Sequence, residues 1–265
     1  MPQLTVATFN IHAGVDGWGT PFDVVGCCGR LDADVLLLQE TWTPACGQGI
    51  VALVAASLGY EAHQVRLADA LLLEPAHAAR ARWGPRNSHQ NRSLWVGDAR
   101  DLEHVGSQHS GEARAGTWGI ALLSRLPVRR VETVALARLR RDSAERRSAI
   151  LAEIEVGRSS VTVVGTHLAH LTHGSPLLLE RLRHKLPASG QAAVLAGDMN
   201  FWGPPLSLAL PGWRRAVKAR TYPSWRAHSQ IDHIFVTRAV EVISGASLAV
   251  GNSDHLPLRA QLAVA

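Results

Sequence analysis

Residues 193–200 read Ala193-Val194-Leu195-Ala196-Gly197-Asp198-Met199-Asn200, and this octet sets the frame for the rest of the chain. The apolar run Ala193 to Ala196 predicts a short buried strand. Gly197 allows the backbone to approach a ligand closely, and Gly203-Pro204-Pro205 closes the loop beyond. Asp198 and Asn200 stand two positions apart, so on an extended segment they point the same way. That arrangement aims a base able to take a proton from water, and a neutral donor able to orient an anion, at one place. An Asx turn stabilising a surface loop would use the same residues, so the motif has to be read with its neighbours.

Downstream, Gln230-Ile231-Asp232-His233-Ile234-Phe235 and Asn252-Ser253-Asp254-His255-Leu256-Pro257 place acids and histidines at the margins of apolar runs. A carboxylate bonded to one ring nitrogen of a histidine fixes its tautomer and raises its basicity. Asp232 is therefore expected to orient His255, while Asp254 reaches a metal or its water. Alternation along the strand points His233 away from Asp232. Upstream, Gly165-Thr166-His167-Leu168 sets His167 directly after the strand Val161 to Thr166. A histidine there can donate to a phosphate oxygen or act as a general acid. Zinc binding by His167, His170 and His173 would need a helix to align them, and Gly174-Ser175-Pro176 suggests a loop.

Near the N-terminus, Thr8-Phe9-Asn10-Ile11-His12 and Leu36-Leu37-Leu38-Gln39-Glu40 place Asn10 and Glu40 at the ends of the first two strands. Adjacent strands would bring both side chains to one sheet edge. A carboxylate beside an amide oxygen suits a hard cation such as magnesium. Either residue alone serves equally well as a strand-end cap.

Between these motifs the pattern alternates. A strand at Gln3 to Ile11 is followed by a helix around Pro21 to Cys28, a strand at Val35 to Gln39, a helix at about Gln48 to Ser57 ending at Gly59, and a strand at Glu61 to Arg66. Residues 76–117 lose both periodicities and read as a long substrate-facing loop. Strands follow at Trp118 to Ser124, Val128 to Leu136, Ala149 to Val156 and Ser160 to Thr166, the last two joined at Gly157-Arg158. A helix at Pro176 to Leu186 takes Ser175 as its N-cap. The remaining strands are Ala192 to Ala196, Gln230 to Val236, Val240 to Leu248 and Leu258 to Val264. Two similar halves of this kind give a β-sandwich flanked by helices, and the 265 residues suit one domain with the 76–117 loop as an insertion.

Composition limits the function classes. An apolar fraction of 46% with 18% charged residues describes a folded globular chain. Arginine dominates the basic residues, Lys185 and Lys218 being the only lysines, and the formal charge of +5 favours anionic partners. Cys27, Cys28 and Cys46 are odd in number and lack the second pair of a structural zinc site, which fits reduced thiols in a cytoplasmic protein. Met1 leads almost at once into a strand, with no secretory pattern, and no apolar run approaches the roughly 20 residues of a membrane helix. A monomer without a membrane span is expected.

Together the motifs make the chain similar to the endonuclease/exonuclease/phosphatase superfamily, the fold of deoxyribonuclease I and exonuclease III-type nucleases. The resemblance extends from Thr8-Phe9-Asn10-Ile11-His12 to Ser253-Asp254-His255-Leu256-Pro257. It implies an α/β fold, a four-layer α/β/β/α sandwich with two mixed, mainly antiparallel sheets between helices. It also implies Glu40, Asn10 and Asp254 as ligands of one or two Mg2+ or Mn2+ ions. Asp198 would position or deprotonate the attacking water, Asn200 would hold the phosphate, and His167 with the His255/Asp232 pair would stabilise its charge. Arg147 matches a position where some nuclease members bind phosphate, and Trp202, just beyond Asn200, is a further substrate candidate. Abasic-site nucleases of the fold carry a lysine after the Gln-Glu motif where this chain has Thr41-Trp42. Inositol phosphatases carry an Asp-Arg step where this chain has Asp232-His233. The positive charge, with Arg80, Arg82, Arg86, Arg92, Arg100, Arg114, Trp83 and Trp95 in the 76–117 stretch, favours a nuclease-like phosphodiesterase that takes an anionic ester or nucleic acid. A small-molecule phosphomonoesterase is the alternative. A catalytically inactive binding module is a third reading, against which stands the filling of every acidic, amide and histidine position.

Overall fold

The computed structural model describes residues 1–73, 94–97, 99–108, 112–140, 142 and 144–264. In chain order the elements are β1 (Gln3–Asn10), α1 (Val24–Leu31), β2 (Val35–Pro44), α2 (Ile50–Leu58), β3 (Glu61–Leu73), β4 (Leu94–Gly97), α3 (Ala99–Gln108), β5 (Ala113–Ser124), β6 (Val128–Ala137) and β7 (Arg147–Val156). They continue with β8 (Ser159–His167), α4 (Ser175–Arg183), β9 (Ala193–Asp198), α5 (Gly203–Ala209), β10 (Trp213–Arg215), β11 (Asp232–Thr237), β12 (Val240–Ser247) and β13 (Leu258–Val264). One sheet runs β12-β13-β1-β2-β5-β3-β4 and the other β10-β11-β9-β8-β7-β6. Each has one parallel pair at its middle, β1 with β2 and β8 with β9, among antiparallel neighbours.

The period of two along each strand sorts the side chains into layers. On β1, Leu4 and Val6 enter the core between the sheets, whereas Ala7 and Phe9 turn outward against α1 and α2. On β9, Val194 and Ala196 face the inter-sheet core while Leu195 faces the cluster formed with α4 and α5. Three apolar layers thus hold four layers of structure, each fully buried Leu, Val or Phe contributing about 1.5–3 kcal/mol. The expected α/β/β/α sandwich is the fold observed. Among the described residues no helix is long and apolar enough to cross a membrane. All three cysteines are free, Cys27 and Cys28 buried and Cys46 exposed.

Some local expectations are corrected. The 76–117 stretch holds β4, α3 and the first five residues of β5 where a loop was expected, and Leu102 of α3 packs on Leu71 and Leu73 of β3. Arg80, Arg82, Trp83, Arg86 and Arg92 lie outside the described residues. Ser175 is not the N-cap of α4. Gly174 holds that position, and the Ser175 hydroxyl donates instead to the Met199 carbonyl at 3.0 Å. The Gly-Pro-Pro step after Asn200 opens α5 rather than closing a loop, because proline is tolerated in a first helical turn.

Candidate active site

The same alternation that builds the core fills the site. Asn10 continues the Leu4-Val6-Thr8 row of β1, Asp198 the Val194-Ala196 row of β9, and His167 the Val161-Val163 row of β8. Asp232 opens the row of Ile234 and Val236 on β11. All four rows face the inter-sheet core, so at the ends of the central strands the apolar filling gives way to polar groups. Within the second sheet the pairing register sets Asp198 directly beside His167 on one side and Asp232 on the other.

Glu40 reaches the same place by a different device. Strict alternation after Val35, Leu37 and Gln39 would send it to the helical face. A bulge lies here, since Gln39 pairs with Ile120 and Thr41 with Gly119, and Glu40 has a left-handed φ of 53°. A bulge re-aims a side chain and shifts the phase of the strand. Glu40 accordingly meets Asn10, and Trp42 beyond it falls into the inter-sheet core. The strand does not end at Glu40 as expected but continues to Pro44. His12 and Asn200, with φ of 42° and 50°, are also left-handed, so three of the residues around the site sit in a sparsely populated backbone region.

Asp198 is the hub. Its Oδ2 accepts from Asn10 Nδ2 at 3.1 Å and stands 3.5 Å from His167 Nε2 and 3.8 Å from His255 Nε2. Its Oδ1 accepts from the Asn200 backbone N–H at 2.8 Å. Asn10 Nδ2 also donates to Glu40 Oε1 at 3.3 Å, while Asn10 Oδ1 accepts from the His12 N–H at 3.1 Å. Asn10 therefore turns its nitrogen to the carboxylates, which differs from the oxygen ligand expected. His255 Nδ1 bonds Asp232 Oδ2 at 2.8 Å, the orienting pair read from the sequence. Asn200 Nδ2 donates to the Leu168 carbonyl at 3.0 Å and faces His167 Nε2 at 3.2 Å.

The loop carrying Asp254 and His255 is stapled in place from two sides. The Ser253 hydroxyl donates to the Asn10 carbonyl at 2.7 Å, and the Ser224 N–H to the Asp254 carbonyl at 2.7 Å. The Tyr222 ring lies 4.9 Å from that of His255. Asp254 Oδ1 is 3.8 Å from His12 Nδ1. His12 belongs to the Thr8–His12 motif but had been given no role, and its turn into the site follows from the left-handed backbone, which no local sequence signal marks.

The electrostatics separate the two site histidines. Burial opposes protonation of His255, but Asp232 and Asp254 outweigh it and hold its pKa well above the ordinary range. His167 is driven well below that range by burial, then by the charges of Arg147 and His255. Burial also works against His12, yet Asp254 and Glu40 raise it. Asp198 is raised to about 7 by burial and by neighbouring Asp232, which suits a base working near neutrality. Asp254 is lowered: burial acts against ionisation, and His12 and His255 overcome it. The surroundings thus favour the charged form of His255 and the neutral form of His167, and weaken the acidity of Asp198.

Two sequence candidates are engaged by other partners. Arg147 is 5% exposed, and its Nε and Nη2 donate to Asp142 at 2.6 and 2.8 Å. That buried pair takes up the guanidinium edge expected for phosphate. Trp202 is 53% exposed, and its ring stacks with Phe201 at 6.4 Å. Zinc binding by His167, His170 and His173 is not assembled. Among the described residues the group able to hold an ion by proximity is Asp198, Asp232 and His255, with ligand atoms within 4.8 Å of one another.

Comparison with known proteins agrees with this architecture. The Endonuclease/Exonuclease/phosphatase family model matches residues 7–255, and the chain belongs to that family. A comparison with curated proteins gave no significant match. Among solved structures, the endonuclease/exonuclease/phosphatase from Beutenbergia cavernae is 21% identical, with 100% of this chain and 72% of that chain covered and a TM-score of 0.66. The human Nocturnin catalytic domain with bound sulfate anion is 19% identical, with 100% and 94% covered and a TM-score of 0.62. D. rerio TDP2 complexed with single strand DNA product is 14% identical, with 99% of each chain covered and a TM-score of 0.59. At these identities the likeness is one of fold.

Proposed function

We propose that this protein hydrolyses phosphate esters by in-line attack of water on phosphorus with the help of a divalent cation, and that its substrate is a phosphodiester of the nucleic-acid type. The observation carrying the reading is the convergence of Asn10, Glu40, His167, Asn200, Asp232 and His255, from both sheets, around the buried carboxylate of Asp198. Building so polar a cluster at the end of an apolar core is costly unless it does chemistry.

The residues fit a hard cation. Glu40 and Asp254 keep 20% and 18% of their side chains open, whereas Asp198 and Asp232 are almost wholly enclosed. Asp232 Oδ1 is buried without a hydrogen-bond partner among the described residues, and burial, with the neighbouring Asp232 carboxylate second, raises the pKa of Asp198. Glu40 and Asp254 would hold the ion, with Asn10 tying Glu40 to Asp198. Asp232 is already committed to His255, which favours this set over the more compact Asp198, Asp232 and His255 group. A bound Mg2+ or Mn2+ would supply Lewis-acid neutralisation of the phosphate and its leaving oxygen.

Asp198 takes the proton of the attacking water, held by the Asn10 amide and the Asn200 N–H. His255, charged and fixed by Asp232, donates from Nε2 to the phosphate oxygens as negative charge builds. The Asn200 amide orients the phosphate, and neutral His167 closes the opposite wall. Removing one such donor costs about two to three orders of magnitude in rate.

Bis-p-nitrophenyl phosphate, p-nitrophenyl phosphate and nicked plasmid DNA, each with Mg2+ or Mn2+, separate diesterase, monoesterase and nuclease. The diester and DNA are expected to turn over faster than the monoester, and Asp198→Ala or His255→Ala to abolish both activities. Metal-dependent turnover surviving both substitutions sinks the assignment.

A further inference from the structure

We infer that Arg147 is a positioning residue for His167, acting through Trp118 and the His167 main chain, and that it does not contact the phosphate; the inference rests on the phosphoesterase reading. The two site histidines are held in different ways. His255 has Asp232 on Nδ1, the arrangement that fixes a catalytic imidazole. His167 has no such partner, because its Nδ1 is buried without a hydrogen bond among the described residues. Asn200 Nδ2 donates to the Leu168 carbonyl, so the second N–H of that amide points at His167 Nε2. Nε2 is then the acceptor and Nδ1 carries the proton, a tautomer inferred from the hydrogen bonding.

What backs the His167 ring is an indole tilted 55° to it, with a guanidinium beyond. The Trp118 ring lies 5.2 Å from the imidazole, and the Arg147 guanidinium 4.9 Å from the centre of the Trp118 ring. Arg147 Nη1 also donates to the His167 carbonyl at 3.3 Å, gripping the main chain of the residue whose side chain it supports through Trp118. Asp142 closes this chain of contacts with a two-pronged bond to Arg147, the two side chains being 3% and 7% exposed. The planar fork is what allows one side chain to meet a carboxylate, a carbonyl and an indole face together, and a lysine has no equivalent geometry. Asp142 and Arg147 thus support His167 through its main chain and Trp118, where Asp232 supports His255 through a ring nitrogen.

The test uses Arg147→Met, Arg147→Lys and the double variant Arg147→Met/Asp142→Leu. The double variant removes both buried charges together and so keeps the fold where a single substitution strands Asp142. On bis-p-nitrophenyl phosphate with Mg2+, kcat is expected to fall about 10- to 100-fold in all three, as for other supports of site ligands. KM is expected to stay within about threefold of the parent, because an interaction outside the ground-state complex leaves substrate binding alone. The 15N spectrum of the histidine side chains gives a readout independent of turnover: the His167 ring signals, assigned with His167→Asn, are expected to shift and broaden in the folded double variant as the ring loses its support. A rise in KM with kcat preserved makes Arg147 a phosphate contact and overturns the inference. So does a folded variant in which kcat and the His167 signals are both unchanged. If the parent turns over none of the phosphate esters while the His167 signals still shift, the phosphoesterase reading fails and the positioning role stands.

Discussion

Replacing Gly197 by alanine tests how closely the two strands bearing His167 and Asp198 must approach. Gly197 has a φ of 147°, and an added Cβ would collide with the backbone carbonyl of Thr166 on β8. The glycine expected to admit a ligand instead admits the neighbouring strand. Holding alanine in that backbone conformation costs about 1–3 kcal/mol. Forcing the carbonyl aside adds about 1–3 kcal/mol, since no side-chain rotamer can relieve a clash with backbone. A total near 4 kcal/mol corresponds to a fall in Tm of roughly 8–16 °C for a domain of this size. Gly59→Ala is the control, because Gly59 has a φ of 73° with nothing within 4 Å of an added Cβ. It bears the conformational cost alone, about 1 kcal/mol. Thermal unfolding followed by circular dichroism measures both. Hydrolysis by Gly197→Ala below its Tm should also fall at least tenfold, because separating β8 from β9 lengthens the 3.5 Å gap between His167 Nε2 and Asp198 Oδ2. Equal Tm shifts in the two variants would show that the strand contact is not what fixes Gly197.

Other expectations follow from the same geometry. Asp232→Asn keeps the shape of the His255 pair but removes its charge, and kcat is expected to drop about 10- to 150-fold, the loss of about 1.5–3 kcal/mol of charge-assisted bonding; steady-state kinetics showing less than a threefold effect would refute the role given to the pair. Glu40→Gln should weaken Mg2+ binding at least tenfold in calorimetry while leaving the fold intact, and chelation of the parent with EDTA should abolish turnover; unchanged Mg2+ affinity would remove Glu40 from the metal set. His233 is buried on the outer face of β11, bonded to the Phe201 carbonyl, and burial lowers its pKa to about 4. Its neutral form therefore contributes stability that is complete above the unfolded pKa near 6.5 and is lost as pH falls through 4, on the order of 3 kcal/mol. Denaturant titrations of the parent and His233→Gln between pH 7 and pH 4 should show a smaller loss in the variant, and parallel pH curves would contradict this account.

Much of the site could be read without coordinates because its residues continue strand alternation. Asp198 follows Val194 and Ala196 on one face, and Asp232 precedes Ile234 and Val236, so period-two patterning already placed both at strand margins and turned His233 outward. The Asp232 and His255 pairing was likewise available from chemistry alone. Glu40, His12 and Arg147 were harder. Glu40 enters the site only because a bulge reverses its face, and His12 only because its φ is 42°. Neither leaves a mark in Leu-Gln-Glu or Asn-Ile-His. Nothing in the sequence near Arg147 announces that Asp142, five residues earlier, folds back to meet its guanidinium.

By itself the sequence determined which residues would be candidates for the site, the strands on which most of them sit and the sandwich that strand and helix alternation builds, because these depend on local periodicity. The 76–117 stretch shows where that local signal fails: β4 and α3 gain their order from packing on β3. Tertiary structure alone set the electrostatic surroundings of the site. Burial beside Asp232 raises Asp198 to about 7, and opposite surroundings drive His255 and His167 apart. Those shifts arise from desolvation and from charges brought close by chain segments far apart in sequence, and no reading of neighbours along the chain contains either quantity.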